Sequence, residues 1–211
     1  MDMLSMIADE RRGMAELIES LTPAQLETPS LCRGWTVHDV AAHLCSPWMM
    51  GAGRIVPALI RHGFRVHRAN AELVQDLAVE LSADEIAQEL RARAEFPFSP
   101  PVVGLFGQLT DLQVHGQDIR RPLGLTRELV GERVLLSLDF LVSPKARGSF
   151  VPRGRLDGLR FIATDLDWEG GQGLTVRGTG EALLLALTGR PVVLAELEGS
   201  GVAVLRARLT G

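Results

Sequence analysis

The chain has 211 residues, 46% of them hydrophobic and 23% charged, and a formal net charge of -4. That is the balance of a folded protein with room for one large or two small domains, not of a disordered one. The negative balance argues against a nucleic-acid surface, which needs clustered Lys and Arg, and no apolar run reaches the roughly 20 residues of a membrane span.

Apolar residues at Met3, Met6, Ile7, Met14, Leu17 and Ile18 repeat with a helical period over residues 3 to about 20. The stretch "LTPAQLETPSLCRGW" reads as a loop punctuated by Pro23, Pro29 and Gly34. A sharply specified helix follows: Thr36 stands as N-cap, Asp39 closes an approximate capping box, and Trp35 and Val40 form a hydrophobic staple. This helix is expected to run through Leu44, bend at Pro47 and resume through "MMGAGRIVPALIRHGF". Residues 68 to 95 continue as helix, with a second capping box at Ser82 and Glu85. "FPFSPP" breaks the chain, "VVGLFGQLTDLQVHGQDIRR" forms a long helix that "PLG" stops, and residues 127 to 142 make one more amphipathic segment.

After Pro144 the texture changes. "GLRFIATDLDW", "GLTVRG" and "PVVLAEL" read as strands, rich in β-branched residues and bounded by glycines. "TGEALLLALTG" and "GSGVAVLRARL" read as helices between them. The expected organisation is a helical domain over residues 1–145 and a small α+β domain over residues 152–211, joined near "SPKARGSFVPRGR". Asp165, Trp168 and Gly173 are read as determinants of that second fold.

Cys32 and Cys45 support neither a disulfide framework nor a zinc-finger spacing. The acidic, amphipathic first residues do not resemble a leader. A cytoplasmic chain is expected, with both thiols reduced and structural. His38 is expected to face solvent, while His62 and His67 flank a Gly-Phe turn as end-of-helix residues.

One arrangement could carry chemistry. Asp111 and His115 are four apart, so they project from one helix face about a turn apart. His43 lies at the edge of the packed face of its own helix, beside Val40. Facing helices of a bundle can bring such flanks together around a cation. Two imidazoles and a carboxylate suit a borderline divalent metal such as zinc, with a position left for water or substrate. Spacing alone leaves the ordinary alternative open, a surface hydrogen bond for the pair and a satisfied core histidine for His43.

Three segments carry a resemblance: "LTPAQLETPSLCRGWTVHDVAAHL", "DLQVHGQDIRRPLG" and "IATDLDW…GLTVRGTGEALLLALTGRPV". In this order the chain resembles the mycothiol-dependent maleylpyruvate isomerase family of the DinB-like metalloenzyme superfamily. The resemblance implies a DinB-like four-helix bundle followed by a small α+β domain similar to sterol carrier proteins. It implies a divalent metal, zinc first among candidates, on His43, Asp111 and His115, and mycothiol as the thiol cosubstrate. Where the family usually has Glu, this chain has Asp111, one methylene shorter, which calls for closer helices or a weaker site.

The implied chemistry is attack of an activated thiol on a small electrophile, giving isomerisation when the thiol leaves and S-transfer when it stays. Arg120, Arg121 and Arg190 are the candidates for contacts to substrate or thiol. No nucleic-acid or membrane partner is expected, and a monomer or homodimer is. The competing class is a non-catalytic scaffold, or a protein for small hydrophobic ligands, with a weakened or lost metal site. A DNA-binding regulator suffers from the charge balance and the lack of a recognition-helix pattern.

Overall fold

The computed structural model of the chain describes residues 2–211, apart from the side chain of His67, whose expected role therefore lies outside the described residues. Helices α1 (Met3–Glu19), α2 (Pro23–Leu26), α3 (Val37–His43), α4 (Ser46–Met49), α5 (Ala52–Arg61), α6 (Val66–Glu80), α7 (Ala83–Ala92), α8 (Gly104–Arg120) and α9 (Gly131–Val142) come first. Strands β1 (Leu159–Ala163), β2 (Glu169–Gly171) and β3 (Leu174–Gly178) follow, then helices α10 (Gly180–Leu187) and α11 (Val202–Thr210). Mainly helical structure followed by a small α+β part is the expected class. No helix among the described residues is long and apolar enough to cross a membrane.

By internal contacts the chain forms two units, Met1–Phe98 with His115–Arg127 and Ser99–Val114 with Glu128–Gly211, the division falling within α8. In the first unit α1 packs on α7 and α3 on α6. Met6, Ile7, Met14 and Ile18 of α1 are buried, as are Val37, Val40 and Ala41 of α3 and Ile86 and Leu90 of α7. Each such aliphatic side chain stabilises the fold by about 1.5–3 kcal/mol.

A buried cation ties this unit together. The Arg11 guanidinium, 1% exposed, donates from Nη1 to the carbonyls of Arg93, Ala94 and Phe96 at 3.0, 2.9 and 2.8 Å. It also lies over the Trp48 ring at 5.4 Å. Those carbonyls belong to the C-cap of α7 and the turn that follows it, where backbone acceptors lack helical partners and a cation is favoured. Burial lowers the Arg11 pKa to about 10.

The helix starts are local and follow the sequence. Thr36 and Asp39 form a full capping box on α3, and Ser82 and Glu85 form another on α7. A third, Thr22 with Gln25, starts α2 inside the stretch expected to be loop, with Pro23 at its first position. The helix after Thr36 is interrupted more often than expected, as α3, α4 and α5, with Pro47 in the first turn of α4.

In the second unit the sheet order is β2-β1-β3. β1 pairs antiparallel with β2, Arg160 opposite Gly171, and parallel with β3, Leu159 opposite Leu174. Two residues therefore carry the chain from one edge of β1 to the other, around its start. A Cβ on Gly171 would meet the Leu159 carbonyl oxygen at 2.4 Å, and one on Gly173 would meet that of Gly158 at 2.1 Å. Both glycines have positive φ, 77° and 125°. Glycine is required at each.

The core of this unit joins Val134, Leu138 and Leu141 of α9 with Leu159 and Phe161 of β1, Val176 of β3 and the leucines of α10. Asp165 accepts the Gly180 N–H at 2.7 Å, at the start of α10, and Trp168 Nε1 donates to Asp139 at 2.8 Å. "PVVLAEL" departs from expectation: Pro191–Glu196 forms 3-10 turns rather than a strand. The adjoining chain meets the sheet through a single bridge, Arg177 with Glu198, and Pro191 has no N–H for a ladder.

Candidate metal centre

The capping box sets the phase of α3. Thr36 Oγ1 accepts the Asp39 N–H at 3.1 Å, and the Asp39 carboxylate accepts the Thr36 N–H at 2.7 Å. With the start fixed, His43 falls on the last turn, half-buried between two rings. Trp35 lies at a centroid distance of 5.3 Å, and the His115 imidazole meets His43 edge-on at 4.9 Å.

Ligand atoms of His43, Asp111 and His115 all lie within 4.8 Å of one another. Ligands sharing one zinc at about 2.0–2.2 Å stand about 3.3–3.5 Å apart. Atoms as far apart as 4.8 Å would have to draw together by up to about 1.5 Å to share one ion. The donor set, two imidazoles and one carboxylate, suits zinc and its neighbours in the first transition row.

A further carboxylate orients this set. His115 Nδ1 lies 2.8 Å from Asp118 Oδ2, and the Asp118 side chain is fully buried. A carboxylate that accepts from Nδ1–H leaves Nε2 as the nitrogen open to a cation, and carboxylate–histidine pairs of this kind fix the tautomer and raise ligand basicity. Asp118 thus acts on the imidazole of His115. Its sequence signal was the three-residue spacing from His115, which places both on one helix face.

Cys32 was read as a buried structural thiol, and the structure corrects this. It is partly exposed, and its Sγ–H donates to Asp118 Oδ2 at 3.1 Å with His115 Nδ1 3.7 Å away. Cys45 does conform: it is buried against the Ile86 carbonyl, and burial pushes its thiol up to about 12.

His38 also departs from expectation. Its Nε2 lies 3.0 Å from the Ala78 carbonyl and 2.9 Å from that of Leu81, so it donates to the end of α6 rather than facing solvent. His62 caps α5 and pairs with Glu72 of α6. Trp48 is a packing residue, its Nε1 donating to Glu89 at 3.1 Å.

Arg120 follows His115 by five residues, about 140° around the helix, and is buried with its guanidinium beside Gly116. The helix does not bring it to the face of Asp111 and His115. Arg121 is half-buried just past the end of α8. Arg190, in the second unit, donates to the Thr188 carbonyl at 2.8 Å. Its charge, after burial, helps lower the pKa of Arg155.

A family model, the mycothiol maleylpyruvate isomerase N-terminal domain, matches residues 7–120. Among solved structures, a histidine-to-alanine variant of the mycothiol-dependent maleylpyruvate isomerase is similar at 15% identity and a TM-score of 0.59, over 94% of this chain and 91% of that one. A second structure of the mycothiol-dependent maleylpyruvate isomerase is similar at 14% identity and a TM-score of 0.50, with the same coverage. At such identities the likeness is one of fold. No curated protein sequence matches the chain.

Proposed function

The chain belongs to the mycothiol maleylpyruvate isomerase family, whose N-terminal-domain model spans residues 7–120, and from that premise we propose that it is a divalent-metal-dependent enzyme that uses mycothiol on a small electrophile of the maleylpyruvate kind. The observation that carries this reading is the approach of His43, Asp111 and His115 to within 4.8 Å of one another at their ligand atoms. These three residues would hold the cation, with zinc the first candidate. When bound there, it would keep a coordinated thiol as its thiolate near neutral pH.

The chain's own residues supply the rest. Asp118 holds His115 in the tautomer that presents Nε2. Trp35 covers one side of His43 and limits water on that flank. Arg190 is the residue proposed to attract a substrate carboxylate. Arg120, buried with its guanidinium beside Gly116, is the lesser candidate for that contact.

The decisive experiment incubates zinc-loaded protein with mycothiol and maleylpyruvate, and follows both substrate and free thiol. Isomerisation consumes substrate and conserves thiol, whereas S-transfer to another electrophile consumes both in step. A zinc-loaded protein that accelerates neither reaction ends the enzyme reading.

A second reading rests on a cavity of about 790 Å³ within the second unit. Val142, Val151, Leu156 and Phe161 line it together with Arg147, Arg153 and the carboxylate of Asp157. That combination fits an amphipathic carboxylate and favours ligand binding by the sterol-carrier-like domain. Displacement of a fluorescent fatty-acid probe, lost in Arg147→Glu, tests it.

A further inference from the structure

Cys32, His115 and Asp118 form a second group whose ligand atoms all lie within 4.8 Å of one another. We propose that Cys32 Sγ, His115 Nδ1 and Asp118 Oδ2 make a distinct binding position for a thiophilic divalent cation such as cadmium or zinc, on the opposite nitrogen of the imidazole that serves the first centre.

The geometry is close to what such an ion needs. With metal–sulfur bonds of about 2.3 Å and metal–nitrogen or metal–oxygen bonds of about 2.0–2.2 Å, tetrahedral edges are about 3.5 Å for sulfur to nitrogen or oxygen and about 3.4 Å for nitrogen to oxygen. The corresponding separations here are 3.7, 3.1 and 2.8 Å. All three pairs come within about 0.6 Å of the tetrahedral values. Binding exchanges two hydrogen bonds to Asp118 Oδ2 for ligand bonds, and the protons of the thiol and the ring leave to solvent.

The loop holds Cys32 in place before any ion arrives. Ser30 Oγ accepts the Cys32 N–H at 3.1 Å and donates to the Trp35 carbonyl at 2.8 Å. Trp35 N–H returns to the Cys32 carbonyl at 3.0 Å, and Leu31 N–H donates to the Asp118 carbonyl at 3.2 Å. Gly34 turns the chain at φ 82°. The thiol is thus fixed against α8 through its own backbone, and its partial exposure leaves an entry path. A soft sulfur ligand distinguishes this position chemically from the imidazole–carboxylate set, since thiolates select thiophilic metals.

The position shares His115 with the proposed enzyme centre but does not need that centre to be loaded or active. The test is a cobalt titration of the full chain after chelation, read by the near-ultraviolet charge-transfer band of thiolate-bound cobalt. Wild type and His43→Ala are both expected to develop the band, and Cys32→Ser and Cys32→Ala to lose it. Cadmium binding should weaken in the Cys32 variants and persist in His43→Ala. Absence of a thiolate band in both wild type and His43→Ala at saturating cobalt, with circular dichroism unchanged, overturns the proposal. A band that survives in Cys32→Ser overturns it equally. A thiolate-free cobalt complex abolished by His43→Ala would leave the first centre standing and remove the second.

Discussion

The Nδ1 of His115 sits 2.8 Å from a carboxylate oxygen of Asp118, one helical turn along α8, and that carboxylate is sealed from solvent. The ring is therefore oriented before any ligand arrives, and removing the charge at 118 should be felt at the metal. Asp118→Asn is expected to weaken zinc binding about 10- to 100-fold. Chelator competition in a Cys32→Ser background reads this effect on the imidazole alone.

Zinc uptake itself should depend on all three proposed ligands. In a Cys32→Ser background, which removes the second position, the protein is expected to bind a tightly held ion, with His43→Ala and His115→Ala losing it, by elemental analysis after desalting. Asp111→Ala should lose it too, while Asp111→Glu should keep it, because the longer arm is the family's usual choice. Retention of zinc in His43→Ala at wild-type affinity would count against this ligand set.

The phase of α3 depends on one cap. Thr36→Ala removes the acceptor for the Asp39 N–H and is expected to cost about 0.5–2 kcal/mol in urea unfolding, with Thr36→Ser close to wild type. Zinc affinity should fall alongside, since His43 occupies the far end of the same short helix.

The two thiols should separate by reagent and by pH. Cys32 is partly exposed and Cys45 buried, so an aromatic disulfide should label Cys32 in the native protein and Cys45 after unfolding. Burial raises the Cys45 thiol from 9.0 to about 12. Above pH 9 the unfolded chain gives up this proton while the folded chain keeps it, so stability falls as pH rises from 9 toward 12. The slope is at most about 1.4 kcal/mol per pH unit. Urea unfolding across this range should show a slope that Cys45→Ser loses.

Gly173→Ala should be among the most damaging single changes. Its φ of 125° and the Gly158 oxygen 2.1 Å from a would-be Cβ leave no room for a side chain. A loss above about 3 kcal/mol is expected, measured by thermal or urea unfolding, while alanine at Gly148, with nothing within 4 Å of the added methyl, should cost less despite its own positive φ.

What could be read in the sequence was what lies within a few residues. The boxes at Thr36 with Asp39 and Ser82 with Glu85 are three-residue relationships, and the Asp111–His115 face is a four-residue one. The box at Thr22 with Gln25 was hidden because two prolines nearby made the stretch look like loop. Val192 and Val193 suggested a strand, but a strand also needs an available sheet edge, which is a property of the assembled fold. Cys32 was illegible for the same reason: its thiol meets the Asp118 carboxylate across 86 positions, a contact no spacing announces. His38 was misjudged because its partners, the last carbonyls of α6, are 40 and 43 residues away.

Asp118 serves several clients with different parts of itself, its carbonyl holding the Leu31 amide and its carboxylate holding the His115 ring and the Cys32 thiol. Any event that tugs on that imidazole is thereby transmitted to a peptide N–H on a neighbouring loop. The deuterium uptake of Leu31 becomes a gauge, wired by a single residue, of what the histidine is holding.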